Sequence, residues 1–136
     1  MAGIEEIIRV EEDGALSFGN YKADSKQKKE DFEVDGDVYK VKTYSEVTRL
    51  EKNSQLLYES IPGTAVFGFT QKEKELSFFV EGAEDAQITI ELEAEQEYKV
   101  FIDDLQLGKM KSNLAGKLNI SVDFNNGKQK VAIKKA

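Results

Sequence analysis

The stretch Leu118-Asn-Ile-Ser-Val-Asp-Phe-Asn-Asn-Gly-Lys-Gln-Lys-Val-Ala-Ile133 decides the class of fold. Leu118, Ile120, Val122 and Phe124 alternate with Asn119, Ser121 and Asp123, and Val131 and Ile133 alternate with Lys130 and Ala132. Successive side chains of a strand point to opposite faces, so a period of two gives each arm one apolar face. Asn126-Gly127 between the arms suits a two-residue type I′ loop, whose central residues need positive φ. The spacing predicts a hairpin with Val122 opposite Val131 and Ile120 opposite Ile133. A slip of one residue would turn the apolar set to water.

The same period runs back through the chain. Asp35-Gly36 reads as a second tight turn, with Phe32 opposite Tyr39 and Val41 further along the same face. Leu76, Phe78 and Val80 alternate, as do Ile88, Ile90 and Leu92, then Tyr98, Val100 and Ile102. Asp103-Asp104 reads as a turn placing Ile102 opposite Leu105 and Val100 opposite Leu107. Residues 45–61 fit either a helical face (Val47, Leu50, Leu57, Tyr58, Ile61) or two strands around Lys52-Asn53-Ser54, and the β character of their neighbours favours strands. Ile4 to Val10 reads as a strand or a short helix. Short strands at regular spacing predict an all-β, antiparallel, sandwich-like fold. It is either one domain or two stacked small β subdomains. The two-unit reading has an N-terminal layer over residues 1–70 and a C-terminal half over 71–136. The charged run Gln71-Lys-Glu-Lys-Glu75 marks that boundary, and reads equally as a hairpin tip.

At 136 residues the chain can bury roughly two-thirds of its unfolded surface without staples. It carries no Cys, His or Trp, and its only arginines are Arg9 and Arg49. Disulfides, thiolate and imidazole metal sites, and Cys or Ser–His nucleophiles are therefore excluded. A net charge of −7 repels nucleic acid and anionic membrane unless basic residues cluster. The two lysine clusters, Lys22 to Lys29 and Lys128, Lys130, Lys134, Lys135, read as solvated faces. The second has the alternation of an edge strand guarded by lysine. No basic-then-apolar leader opens the sequence and no run approaches the ~20 apolar residues of a membrane span, so the expectation is a cytoplasmic protein.

Paired carboxylates occur at Asp103-Asp104 and Glu84-Asp85, but neighbours on a strand face opposite ways and cannot flank one sugar. Asp35-Gly36-Asp37 and the Glu81 to Asp85 loop offer oxygens for calcium without the EF-hand spacing. No Walker, dinucleotide-glycine or Gly-x-Ser-x-Gly pattern is present. The expectation is no catalytic residue, no metal and no cofactor. If a ligand is a glycan, the aromatic platforms on offer are Tyr21, Tyr39, Tyr44 and Tyr58.

The run Tyr98-Lys-Val-Phe-Ile-Asp-Asp-Leu-Gln-Leu-Gly108, followed by Leu114-Ala-Gly-Lys-Leu-Asn-Ile-Ser-Val122, resembles the terminal β-sandwich modules of bacterial polysaccharide enzymes. In those proteins the module is an accessory piece. Ser17-Phe-Gly-Asn-Tyr21, Val41-Lys-Thr43, Tyr58-Glu-Ser-Ile-Pro-Gly-Thr64 and Glu81-Gly-Ala-Glu-Asp-Ala-Gln-Ile88 resemble small Firmicutes proteins, often clostridial, that carry an endosialidase label. The label's chemistry does not transfer. Sialidases hold the substrate carboxylate with three arginines, and this chain has two. The function expected is a non-enzymatic structural or protein-interaction module. It would bind a protein partner or itself through an exposed sheet edge or aromatic patch. A carbohydrate-binding accessory domain comes second, and an enzyme built from carboxylates, Tyr, Ser and Lys third. No nucleic acid or membrane partner is expected.

Overall fold

Period-two alternation becomes strand throughout the computed structural model, which describes residues 4, 6–124 and 127–136. The strands are β1 Ile8–Val10, β2 Leu16–Phe18, β3 Gln27–Val34, β4 Asp37–Tyr44, β5 Val47–Lys52, β6 Gln55–Ile61 and β7 Thr64–Gln71. They continue with β8 Glu75–Gly82, β9 Ala86–Glu91, β10 Glu97–Ile102, β11 Leu105–Lys111, β12 Lys117–Val122 and β13 Gln129–Lys135. One sheet has seven strands in the order β1-β2-β7-β8-β13-β10-β11, the other six in the order β12-β9-β6-β5-β4-β3. All pairings are antiparallel. The fold is all-β and sandwich-like. No helix among the described residues is long and apolar enough to cross a membrane.

Turn chemistry sets the hairpins. Asp35 and Gly36 take φ of 50° and 87°, and Phe32 faces Tyr39 as expected. Residues 45–61 are strands: Asn53 and Ser54 turn with φ of 51° and 69°, and Leu50 pairs with Tyr58. Asp103 and Asp104 turn likewise, and Ile102 faces Leu105. Beyond them a bulge intervenes. Val100 pairs with Gly108 rather than Leu107, and Leu107 is left as the extra residue, 52% exposed.

The hairpin expected across Asn126-Gly127 does not form. β12 pairs with β9 in the six-stranded sheet, while β13 lies between β8 and β10 in the seven-stranded one. Asn126 lies outside the described residues. The faces were right, since Leu118, Ile120, Val122, Val131 and Ile133 are all buried. Alternation fixes which side of a strand is apolar, but two strands with inward faces satisfy it equally in facing sheets. The tail lysines are corrected for the same reason, because β13 is an interior strand rather than an edge. Gln71 to Glu75 is the tip of the β7–β8 hairpin, and each sheet draws strands from both sides of residue 70.

Both inner faces meet in one core that includes Phe18, Val41, Leu50, Tyr58, Phe78, Ile90, Val100, Ile120 and Val131. Tyr58 is its aromatic hub, with ring centroids 5.3 Å from Phe18 and 5.6 Å from Phe78, both edge-to-face. Beside it runs a chain of fully buried hydroxyls. Thr64 Oγ1 meets Tyr58 Oη at 2.8 Å and Ser60 Oγ at 2.7 Å. The Thr64 N–H donates to Thr48 Oγ1, which in turn donates to the Thr64 carbonyl at 2.8 Å, and Thr48 Oγ1 meets Thr43 Oγ1 at 2.8 Å. The network ties the start of β7 to the opposite sheet, where the chain crosses between layers.

Candidate functional site

The four tyrosines do not form a common platform. Tyr58 is wholly buried, and burial pushes its hydroxyl well above the usual phenol range. Tyr39 is 8% exposed and packs in the core on β4; burial, with the charges of Asp37 and Asp35 behind it, raises its hydroxyl too. Neither ring presents a face to a ligand. Tyr44 ends β4 with parity opposite to the buried Tyr39, Val41 and Thr43, so it faces away from the core of the six-stranded sheet. Tyr21 follows β2 and donates its hydroxyl to Glu81 Oε2 at 3.2 Å. Burial and then the Glu81 charge raise its pKa. Glu81 has the parity of the outer face of the seven-stranded sheet, so Tyr21 reaches that face alone.

That outer face carries the aromatics that sequence reasoning passed over. In β8 the inward residues are Leu76, Phe78 and Val80, which sends Ser77, Phe79 and Glu81 outward. Phe79 is 44% exposed and stands directly opposite Phe67 of β7. Phe101 of β10, between the buried Val100 and the inward Ile102, lies across Ala132 on the same side. Lysines cover two of the rings: Lys128 Nζ sits 4.1 Å from the Phe67 centroid and Lys134 Nζ 5.1 Å from that of Phe101. The signal was present in the sequence as aromatics at the off-parity positions, Phe79 after Phe78 and Phe101 after Val100.

Next to Phe101 lies a row of like charge, bounded on the β8 side by Glu75 opposite Lys134. Lys134 pairs with Lys99, and Lys99 with Lys109, so three lysines stand directly opposite one another on adjacent strands about 4.8 Å apart. None of the three makes an ion pair with a described residue. Like charges directly opposed destabilise a sheet. The other sheet treats its basic row differently. There Lys28, Lys42 and Arg49 are in register, and Arg49 donates to Glu59 at 2.9 Å and to Glu51 at 3.2 Å.

A cavity of about 600 Å³ opens at one end of the sandwich, between the β5–β6 and β7–β8 tips and the end of β9. Its floor is Leu57, Leu76 and Ile133, all nearly closed to solvent, and its rim mixes Lys52, Lys72 and Lys74 with Glu73, Glu75 and Glu91. Lys135 meets Glu93 at 2.6 Å, and that hydrogen bond raises the lysine's pKa. The Tyr98 hydroxyl accepts the Glu93 N–H at 3.1 Å. The rim's balanced charge selects no sign of ligand. Asp103-Asp104 and Glu84-Asp85 both fall in turns or loops, and no group of three Asp or Glu among the described residues is placed to hold a metal ion. No family model, curated protein or solved structure matches the chain.

Proposed function

We propose that the protein is a non-enzymatic interaction module that binds an acidic protein surface on the outer face of its seven-stranded sheet. The observation that carries this reading is the row Lys134–Lys99–Lys109, three cations in register with no ion pair among the described residues, next to Phe101 and on the same face as the Phe67–Phe79 pair, in a chain of net charge −7. The row costs the isolated fold stability, and carboxylates laid across it would relieve that cost while the rings supply apolar contact. Aromatic rings are what protein interfaces concentrate at their centres, and lysines suit the polar rim around them. The test is capture by tagged protein with and without Lys99→Glu. The reading expects a partner bound by the wild type, lost with Lys99→Glu, and released at high salt.

The exposed Phe79 ring, with Tyr21 at the border of the same face, favours carbohydrate binding as a second reading. Under that reading glycans raise the melting temperature, Phe79→Ser abolishes the shift, and Lys99→Glu leaves it largely intact.

A further inference from the structure

The seven-stranded sheet ends in β11, whose far side has no strand partner among the described residues. Such an edge offers a row of free N–H and C=O groups. Here it is also apolar, with Leu105 69% and Leu107 52% exposed, and Leu114 just beyond it 81% exposed. We infer that the occupant of this edge is β11 of a second copy of the chain, paired antiparallel about a two-fold axis between Leu107 and Gly108.

The case rests on the self-complementarity of residues 104–111, Asp-Leu-Gln-Leu-Gly-Lys-Met-Lys. In that register Asp104 meets Lys111 of the partner subunit, Leu105 meets the partner's Met110, Gln106 meets the partner's Lys109, and Leu107 meets the partner's Gly108. The faces agree as well as the chemistry. Leu105 and Met110 share the side of Ile102 and Tyr98, the core side, while Gln106, Lys109 and Lys111 share the side of Phe101, Lys99 and Glu97. The bulge that spoils the expected hairpin register is what brings Gln106 and Lys109 to the same side, three residues apart. Gly108 has nothing within 4 Å of where a Cβ would stand, which leaves room for the facing Leu107. Asp104 is within reach: its side chain is 83% exposed, and its pair with Lys130 at 3.4 Å engages one carboxylate oxygen, Oδ1. A two-fold pairing repeats each contact and uses up the only open side of β11, so it closes at the dimer.

This interface stands apart from the outer-face reading, and its test does not need a foreign partner. Sedimentation velocity across a concentration series reads the wild type, Asp104→Lys, Lys111→Asp and the double variant, each checked for folding by circular dichroism. The wild type is expected to dimerise with concentration. Each single variant turns two attractive pairs into repulsive ones and weakens the dimer about tenfold or more. The double variant restores it. A wild type that stays monomeric to about 1 mM overturns the inference. So does a dimer that ignores both single variants, and so does a double variant that fails to recover.

Discussion

Thr64→Val removes one oxygen and little volume, at the centre of the buried hydroxyl chain. The main-chain bonds between Thr64 and Thr48 survive it, because they use the Thr64 N–H and carbonyl. What is lost is the common partner of Tyr58 Oη and Ser60 Oγ, at 2.8 Å and 2.7 Å. All three residues are fully buried, so water cannot substitute. Among the described residues every buried side-chain N or O atom has a partner, and the variant would create orphans. Leaving a buried polar group unsatisfied costs about 1–3 kcal/mol, and two groups compete for whatever rearrangement remains, so the expected loss is about 2–4 kcal/mol. Urea unfolding reads it as a lower midpoint at unchanged slope. Adding Tyr58→Phe removes one of the two orphans, so the double variant should be more stable than the sum of the single losses by about 1 kcal/mol. A loss below about 0.5 kcal/mol, or strict additivity, would refute the role given to this network.

Other outcomes follow from the same geometry. The Ser17 hydroxyl and the Arg9 guanidinium donate to Glu11 and hold its carboxyl below the ordinary 4.5. A carboxylate with a depressed folded pKa adds stability above 4.5 that is lost as pH falls through the folded value, so Glu11→Gln should flatten the acid limb of stability against pH. An unchanged acid limb would contradict that pairing. Gly116 takes φ +85°, and a Cβ there would collide with the Leu92 carbonyl, so Gly116→Ala should cost about 2–4 kcal/mol in denaturant melts. Phe79→Ser sits on the outer face and should change stability by no more than about 1 kcal/mol, the scale of a cross-strand pair, while removing partner binding.

The faces of most strands were legible in the sequence, and their partners much less so. Asp35-Gly36 announced its hairpin because the turn residues and the Phe32–Tyr39 pair agreed. Asn126-Gly127 looked as good and misled, since Ile120 and Val122 are buried equally well in the sheet opposite to that of β13 as they would be beside it. The Leu107 bulge left no mark in the alternation. Tyr58 and Tyr39 were offered as platforms because residue type says nothing about parity, whereas the pairing of Tyr58 with Leu50 and the place of Tyr39 two residues before Val41 put both in the core. The row of lysines 99, 109 and 134 was not legible, because Lys99 meets Lys109 only through the Leu107 bulge and meets Lys134 only once β13 is set beside β10.

The outer face of the seven-stranded sheet is tested most directly by quantitative capture with four tagged proteins: wild type, Phe79→Ser, Lys99→Glu, and Lys117→Glu on the exposed side of β12 in the other sheet. The account expects one acidic protein held by the wild type and by Lys117→Glu, and lost from both outer-face variants. A partner retained equally by all four, or lost equally with Lys117→Glu, would contradict it.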